Sequence, residues 1–168
     1  IFTKKNMNLK KIKDYPNYSF DLNTNQVYSH NSKIYLKPYL NNNRYYQIKL
    51  FNNNKPKVFQ FHRLVYEAHN GTIPTGLFID HIDNNKLNNN IDNLRLCNNS
   101  QNNCNVKVYK NNKSTGYKNI SLNCNNYLVS IRKNYKLAYR KSFKTLEEAI
   151  TNRDIQLKLI HNEFANLG

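Results

Sequence analysis

The chain has 168 residues, enough for one ordinary domain or two to three very small ones, and carries 26 Lys and Arg against 10 Asp and Glu, a formal charge of +16. With 39% hydrophobic residues and a mean hydropathy of −0.84, burial must come from modest separate cores, while 13 Tyr and 8 Phe exclude a purely disordered basic tail. No stretch approaches the roughly 18 apolar residues of a membrane span, and Cys97, Cys104 and Cys124 are too few for a disulfide framework or a four-cysteine zinc clamp.

These limits predict a soluble protein of a reduced, intracellular compartment with a polyanionic partner, and no membrane. Ile1 in place of Met implies a fragment, a processed form or a start beyond the given sequence. Asn, at 34 residues, is the commonest type. The charge is uneven: residues 1–20 are net +4, 21–60 net +5, 61–105 net −1 and 106–168 net +8. Basic segments flanking an acidic centre suit a phosphate backbone, whose neutralisation releases condensed counterions. The acidic island calls for a different partner, and a divalent cation is the natural one.

Residues 1–13 read as a basic, poorly ordered arm ended by Pro16. From Tyr18 to Phe61 the pattern predicts one small antiparallel sheet. In YYQIKLF, Tyr46, Ile48 and Leu50 alternate with Gln47 and Lys49, and Asn-rich turns at 41–43 and 52–54 separate the runs. VFQFHRLVYEAH passes from strand into a short helix that Asn70-Gly71 terminates. LFIDHI (77–82) and NLRL (93–96) are short strands around a polar loop, and Asn98, Asn99 or Ser100 then N-caps a helix. Residues 106–116 form a basic linker with a turn at Gly116. Three strand-like runs follow, then a capping box, Thr145 with Glu148, and a helix over about 146–163. The predicted class is α+β, divided into 1–60, 61–105, the linker 106–116 and 117–168.

Four positions of the acidic island make a coherent metal-hydrolysis site. Asp80 supplies a hard carboxylate oxygen for Mg²⁺, and His81 can take a proton from water near neutral pH. Adjacent strand residues point to opposite faces, so the pair must sit at a strand end or bend to serve one phosphate. Asn93 would fix the imidazole tautomer through a hydrogen bond, and Asn102, on the following helix, would complete the metal shell. One carboxylate and one amide leave most of an octahedral shell to water and phosphate oxygens.

On FHRLVYEAHNG, IDHIDNNKLNNNIDNLRL and the SQNN that follows, residues 61–105 resemble the HNH endonucleases of phages, group I introns and giant viruses. The resemblance implies a ββα-metal core, with Asp80 and Asn102 as metal ligands, His81 as general base and Asn93 orienting it. It further implies Mg²⁺, with Mn²⁺ as the alternative, no structural zinc, and products with 5′-phosphate and 3′-hydroxyl ends. Relatives usually have Gly after the second Asp; Asn84 stands there, and Asn can adopt the left-handed conformation Gly would use. His62, between Phe61 and Leu64, reads as a packed structural residue rather than a phosphate contact.

Residues 117–168, through TGYKNISL and NYLVSIRKNYKLAYRKSFKTLEEAI, resemble the ethylene-response-factor type of DNA-binding domain, a three-stranded sheet plus one helix. That resemblance makes Lys118, Arg132, Lys133, Lys136, Arg140 and Lys141 candidate contacts to double-stranded DNA, mostly to phosphates; Arg63 is a further candidate in the nuclease segment. The resulting reading is a monomeric homing-type HNH endonuclease of a host cytoplasm or nucleus, virus- or phage-encoded. Its rival is a DNA-binding or DNA-packaging protein that retains a degenerate HNH segment.

Overall fold

The computed structural model describes residues 7–106 and 115–167, so the start of the basic arm and most of the expected linker lie outside the described residues. The fold is α+β, built from several small antiparallel sheets and few helices. The chain divides into two compact units, Ile1–Leu96 and Cys97–Gly168. Among the described residues no helix is long and apolar enough to cross a membrane.

In the first unit, β1 (Leu9–Lys11), β2 (Tyr18–Asp21), β3 (Gln26–Ser29) and β4 (Ile34–Leu36) form a four-stranded sheet in sequential order. A second sheet holds β5 (Tyr39–Leu40), β6 (Tyr46–Asn52) and β7 (Lys55–Gln60). Two sheets therefore stand where one was expected. Pro38 falls between β4 and β5, and a residue without an N–H cannot continue a ladder. The β6–β7 turn, Asn53-Asn54, has φ of 48° and 59°, the left-handed pair of a tight hairpin.

The basic arm is ordered where it is described, against expectation. Leu9–Lys11 pairs antiparallel with β2, and the Leu22 N–H donates to Asn8 O at 2.9 Å. The anchor is Asp21, 1% exposed, whose carboxylate accepts from the N–H groups of Asn8 and Asn23 and from the Tyr35 hydroxyl. Burial alone would raise the Asp21 pKa. The hydrogen bonds from Tyr35, Asn23 and Asn8 outweigh it and hold the carboxyl below its usual range. Lys10 is also committed: its Nζ donates to Ala68 O at 2.7 Å, near a helix C-terminus where a cation is favoured.

That helix, α1 (Phe61–Asn70), buries Phe61, Leu64, Val65 and Ala68 at spacings of three and four, and stops at Gly71 with φ 87°. The four join Tyr15, Phe20, Val27, Ile48, Leu50 and Leu94 in one core, with Ile79 and Ile91 packed against it. Leu94 and Ile79 belong to β9 (Leu94–Cys97) and β8 (Phe78–His81), which hydrogen-bond as a two-stranded sheet. The predicted catalytic strands thus rest on the same core as the N-terminal sheets.

In the second unit, α2 (Asn99–Asn105) opens with a reciprocal capping box between Asn98 and Gln101. Then come β10 (Ile120–Asn123), β11 (Asn126–Lys133) and β12 (Lys136–Phe143), an antiparallel sheet backed by α3 (Leu146–His161). The Thr145–Glu148 capping box forms as expected, but the helix turns into a 3₁₀ segment at Asn162, φ 50°. Ile120, Val129, Ile131, Ala149 and Leu157 make the small core. Arg153, 1% exposed, braces it: Nη2 donates to Leu167 O at 2.8 Å and Nε to Asp154 Oδ1 at 2.7 Å.

Candidate active site

The buried polar residues of the first unit include His62, Asp80, His81 and Asn93. Buried polar groups must be satisfied, so their partners define the site. Asp80 and His81 close β8, at the strand end that their adjacency demanded. Asp80 Oδ2 accepts from Arg95 Nε and Nη2, both at 2.9 Å, across to β9. This two-pronged ion pair fixes the carboxylate's orientation. His81 Nε2 lies 3.1 Å from Asn89 Oδ1. An amide oxygen only accepts, so in this arrangement Nε2 carries the proton and the basic lone pair is on Nδ1.

Asn93 bonds the loop that follows His81. Its Nδ2 donates to Asp83 Oδ1 at 2.9 Å and to Asn88 O at 2.8 Å, and its Oδ1 accepts from the Asp83 N–H at 3.0 Å. Its carbonyl accepts from the Ile82 N–H at 2.9 Å. Asn93 therefore staples the loop that follows His81, and Asn89, within that loop, meets the ring. The reason is positional: Asn93 ends a 3₁₀ turn (Ile91–Asn93) that aims its amide into the loop. Asp83 is the loop's hub, also accepting from the Asn85 N–H at 2.7 Å and Asn88 Nδ2 at 2.8 Å. Burial would raise its pKa; the bonds from Asn88, Asn85 and Asn93 and the nearby His81 hold it below the usual range. Asn84 has φ 60°, the left-handed conformation expected where relatives place Gly.

His62 is packed, as expected, yet it is packed against the site. Its ring centroid is 5.2 Å from that of His81 and 5.4 Å from that of Tyr45. Burial above all, then the fields of His81 and Arg63, push its pKa down to about 4 from an ordinary 6.5. Between those values the unfolded chain binds the extra proton, so stability falls as pH falls through that window, by about 2 kcal/mol near pH 5. Urea midpoints at pH 7.5 and 5 should show the loss, and His62→Phe should flatten it. An unchanged slope in that variant would assign the acid sensitivity elsewhere.

Asn102 lies on α2, in the second unit, its N–H donating to Asn98 O at 3.0 Å. Among the described residues no three His, Cys, Asp or Glu side chains converge on one point. A metal at Asp80 would thus draw mainly on amide, phosphate and water oxygens. A single carboxylate among neutral oxygen donors fits a hard divalent ion.

The basic candidates separate into different roles. Arg63 sits on α1. Lys118 precedes β10 and is half-buried; its Nζ donates to the carbonyls of Asn103, Cys104 and Val106 at 3.0, 2.8 and 2.9 Å. It is the C-cap of α2, not a free cation, and desolvation lowers its pKa. Lys118→Met should cost the second unit about 1.5–3 kcal/mol, read from thermal or urea unfolding, with little change in DNA affinity. A large affinity loss at unchanged stability would return Lys118 to the contact surface.

The other five are exposed. Arg140 pairs with Ser130, which alternates with the buried Val129 and Ile131, so Arg140 lies on the sheet face turned away from α3. Lys141 pairs with Val129 and takes the other face, its Nζ 5.4 Å from the Phe143 ring centroid. Lys133 and Lys136 stand opposite each other at the hairpin end, beside Arg132, whose Nη1 donates to Tyr135 O at 3.3 Å. Asn134 and Tyr135 make the turn with φ of 50° and 65°. The Asn134 N–H donates to Ser100 Oγ, and Asn99 Nδ2 to the Tyr135 hydroxyl, tying the hairpin tip to α2.

Comparison with known proteins is consistent with this geometry. Residues 59–104 match the family described as HNH endonuclease. An uncharacterized HNH endonuclease of Acanthamoeba polyphaga mimivirus, L560, is 38% identical over 107 residues, 63% of this chain and 55% of the relative. Protein 3.8 of Escherichia phage T7 is 52% identical over 60 residues, 36% of this chain and 49% of that protein. The DNA endonuclease I-HmuI of Bacillus phage SP01 is 42% identical over 89 residues, 53% of this chain and 51% of the relative. The chain thus spans about half the length of these curated relatives. A solved structure of the HNH homing endonuclease I-HmuI, described for DNA binding and cleavage, superposes with a TM-score of 0.51 at 28% identity, covering 93% of this chain and 92% of that one.

Proposed function

We propose, taking as premise that residues 59–104 match the HNH endonucleases, that this chain is a metal-dependent endonuclease of the homing type acting on double-stranded DNA. The observation that carries the reading is the buried Asp80–His81 pair at the end of β8, each with its own fixed partner, inside the matched segment.

His81 Nδ1 takes the proton of the attacking water, while Asn89 holds the opposite ring nitrogen in its protonated form. Arg95 aims the Asp80 carboxylate. Asn93 and Asp83 lock the loop that presents Asn89. Asp80 would hold a Mg²⁺ or Mn²⁺ ion, which would supply Lewis-acid stabilisation of the charge that grows on the phosphate and the leaving 3′ oxygen. Asn102 as a second ligand rests on the resemblance alone. Hydrolysis of the P–O3′ bond leaves 5′-phosphate and 3′-hydroxyl ends. One such site in a monomer nicks one strand per event.

Lys133, Lys136, Arg132, Arg140 and Lys141 of the second unit, and Arg63 of the first, bind phosphates. Lys133 opposite Lys136 is an unfavourable like-charge pair without a polyanion to neutralise it. Supercoiled plasmid and a larger genomic DNA, incubated with Mg²⁺ or Mn²⁺ beside EDTA and His81→Ala controls, test the reading. Metal-dependent nicking that His81→Ala lacks is expected. No cutting of either substrate, with a salt-sensitive gel shift kept, would instead make the chain a DNA-binding or packaging protein.

A further inference from the structure

We propose that His62 is a positioning residue of this site: with Tyr45 beside it, its ring forms the wall that holds the His81 imidazole in one orientation. The inference deepens the endonuclease reading and rests on it for its effect on rate, but not for the geometry.

Three segments far apart in sequence meet here. Tyr45 comes from the turn before β6, His62 from the first turn of α1, and His81 from the end of β8. His62 stands edge-on to His81, centroids 5.2 Å apart at 67° between planes, the T-shaped arrangement that ring quadrupoles favour. Tyr45 is tilted against both, 5.4 Å from His62 and 6.1 Å from His81. Lys86 Nζ sits 4.4 Å from the Tyr45 ring centroid, a cation–π contact that ties the loop after β8 to the same cluster. The Asn89 bond restrains rotation of the His81 ring at Nε2, and the His62 ring limits the sideways swing that a single hydrogen bond leaves open.

His62 is suited to a wall and unsuited to proton transfer. It is 9% exposed and neutral at physiological pH, so it neither repels a protonated His81 nor competes for the water's proton. Its backbone is pinned by the packing of Phe61, Leu64 and Val65 on either side, so its ring is delivered by the rigid core. A base must be held within a fraction of an ångström of its reactive position, and a displacement near 1 Å costs about 10²-fold in rate.

The full chain, with His62→Ala and His62→Phe, tests this by two independent readouts. In the first, the cleavage rate at saturating plasmid and the half-saturating plasmid concentration are measured with Mg²⁺ or Mn²⁺. His62→Ala should lower the saturating rate by about 10–100-fold with little change in half-saturation, and His62→Phe, which keeps a ring, should recover most of it. In the second, ¹H–¹⁵N spectra of the histidine side chains, with the His81 signals assigned from His81→Ala, report the ring directly. Wild type and His62→Phe should show one protonated Nε2, and His62→Ala an average over tautomers.

An unchanged saturating rate in His62→Ala, or a His62→Phe variant as slow as His62→Ala, would overturn the proposal. So would His81 signals that His62→Ala leaves unaltered. If His62→Ala fails to fold, His62→Leu, which fills the space without a ring, takes its place in both measurements. If the wild type cuts nothing, the endonuclease reading fails, and the spectra still decide whether His62 positions His81.

Discussion

His81→Ala is expected to lower metal-dependent cleavage by about 10²–10⁴-fold, the usual contribution of a positioned general base. Binding of DNA should survive, because the substitution leaves every proposed phosphate-contacting cation in place. The ring is 6% exposed and packed against His62, so its removal also leaves a small cavity. His81→Asn fills more of that space and offers no base. Both variants should therefore lose the same rate while differing in melting temperature. If cleavage by His81→Asn stayed near wild type, another group would have to be the base, and the buried neutrality of His62 removes the nearest alternative.

Asp80→Ala should fail in two ways that can be separated. The first is catalytic: if Asp80 holds the metal as proposed, loss of its carboxylate forfeits several kcal/mol of charge stabilisation, about 10³-fold or more in rate. The second is structural. The Asp80 and Arg95 side chains are 7% and 14% exposed, and removing one member of a buried pair strands the other charge at a cost of about 3–5 kcal/mol. The double variant Asp80→Ala/Arg95→Met removes both charges and should regain most of the stability, because apolar replacement of a whole buried pair is close to neutral. Cleavage should stay lost. Restored cutting in the double variant would mean that Asp80 served the fold rather than the metal. Unfolding midpoints and plasmid conversion, measured on the three proteins side by side, give the answer.

Much of this molecule was legible before its fold was known. The alternation of Tyr46, Ile48 and Leu50 against Gln47 and Lys49 anticipates β6, of which Ile48 and Leu50 are buried. Phe61, Leu64, Val65 and Ala68 at helical spacing, stopped by Asn70-Gly71, anticipate α1. Asn98, one of three N-cap candidates with Asn99 and Ser100, and the Thr145–Glu148 box mark two helix starts, because an N-cap is a local bond between residues three apart. Asn84 in a left-handed conformation was equally readable, since that tolerance belongs to the residue itself.

What stayed hidden depends on contacts across long stretches of chain. Nothing around Lys10 or Lys118 marks either as a helix cap; each looks like one more cation in a basic protein. Asp21 stands alone in a basic segment, and only the strand register shows that its carboxylate orders Asn8, Asn23 and Tyr35. The pairing of Asn89 with His81 was equally out of reach in a chain where Asn fills the loop at 84, 85, 88, 89 and 90. One signal was present: FHRLVYEAH puts a His on the buried face of a helix, and a buried imidazole needs neighbours that tolerate it.

From the sequence alone follow the α+β class, the order of elements from β6 onward, the buried faces of β6 and α1 and the Asp80–His81 pair at a strand end, because periodicity, capping and turn preference act within a few residues. Which partner each polar group takes was decided by tertiary structure: Arg95 for Asp80, Asn89 and His62 for His81, Asp83 and Asn88 for Asn93, and three carbonyls at the end of α2 for Lys118. Hydrogen bonds and ring contacts are short-ranged and directional, and only the packed core of α1, β8 and β9 brings those groups within their reach.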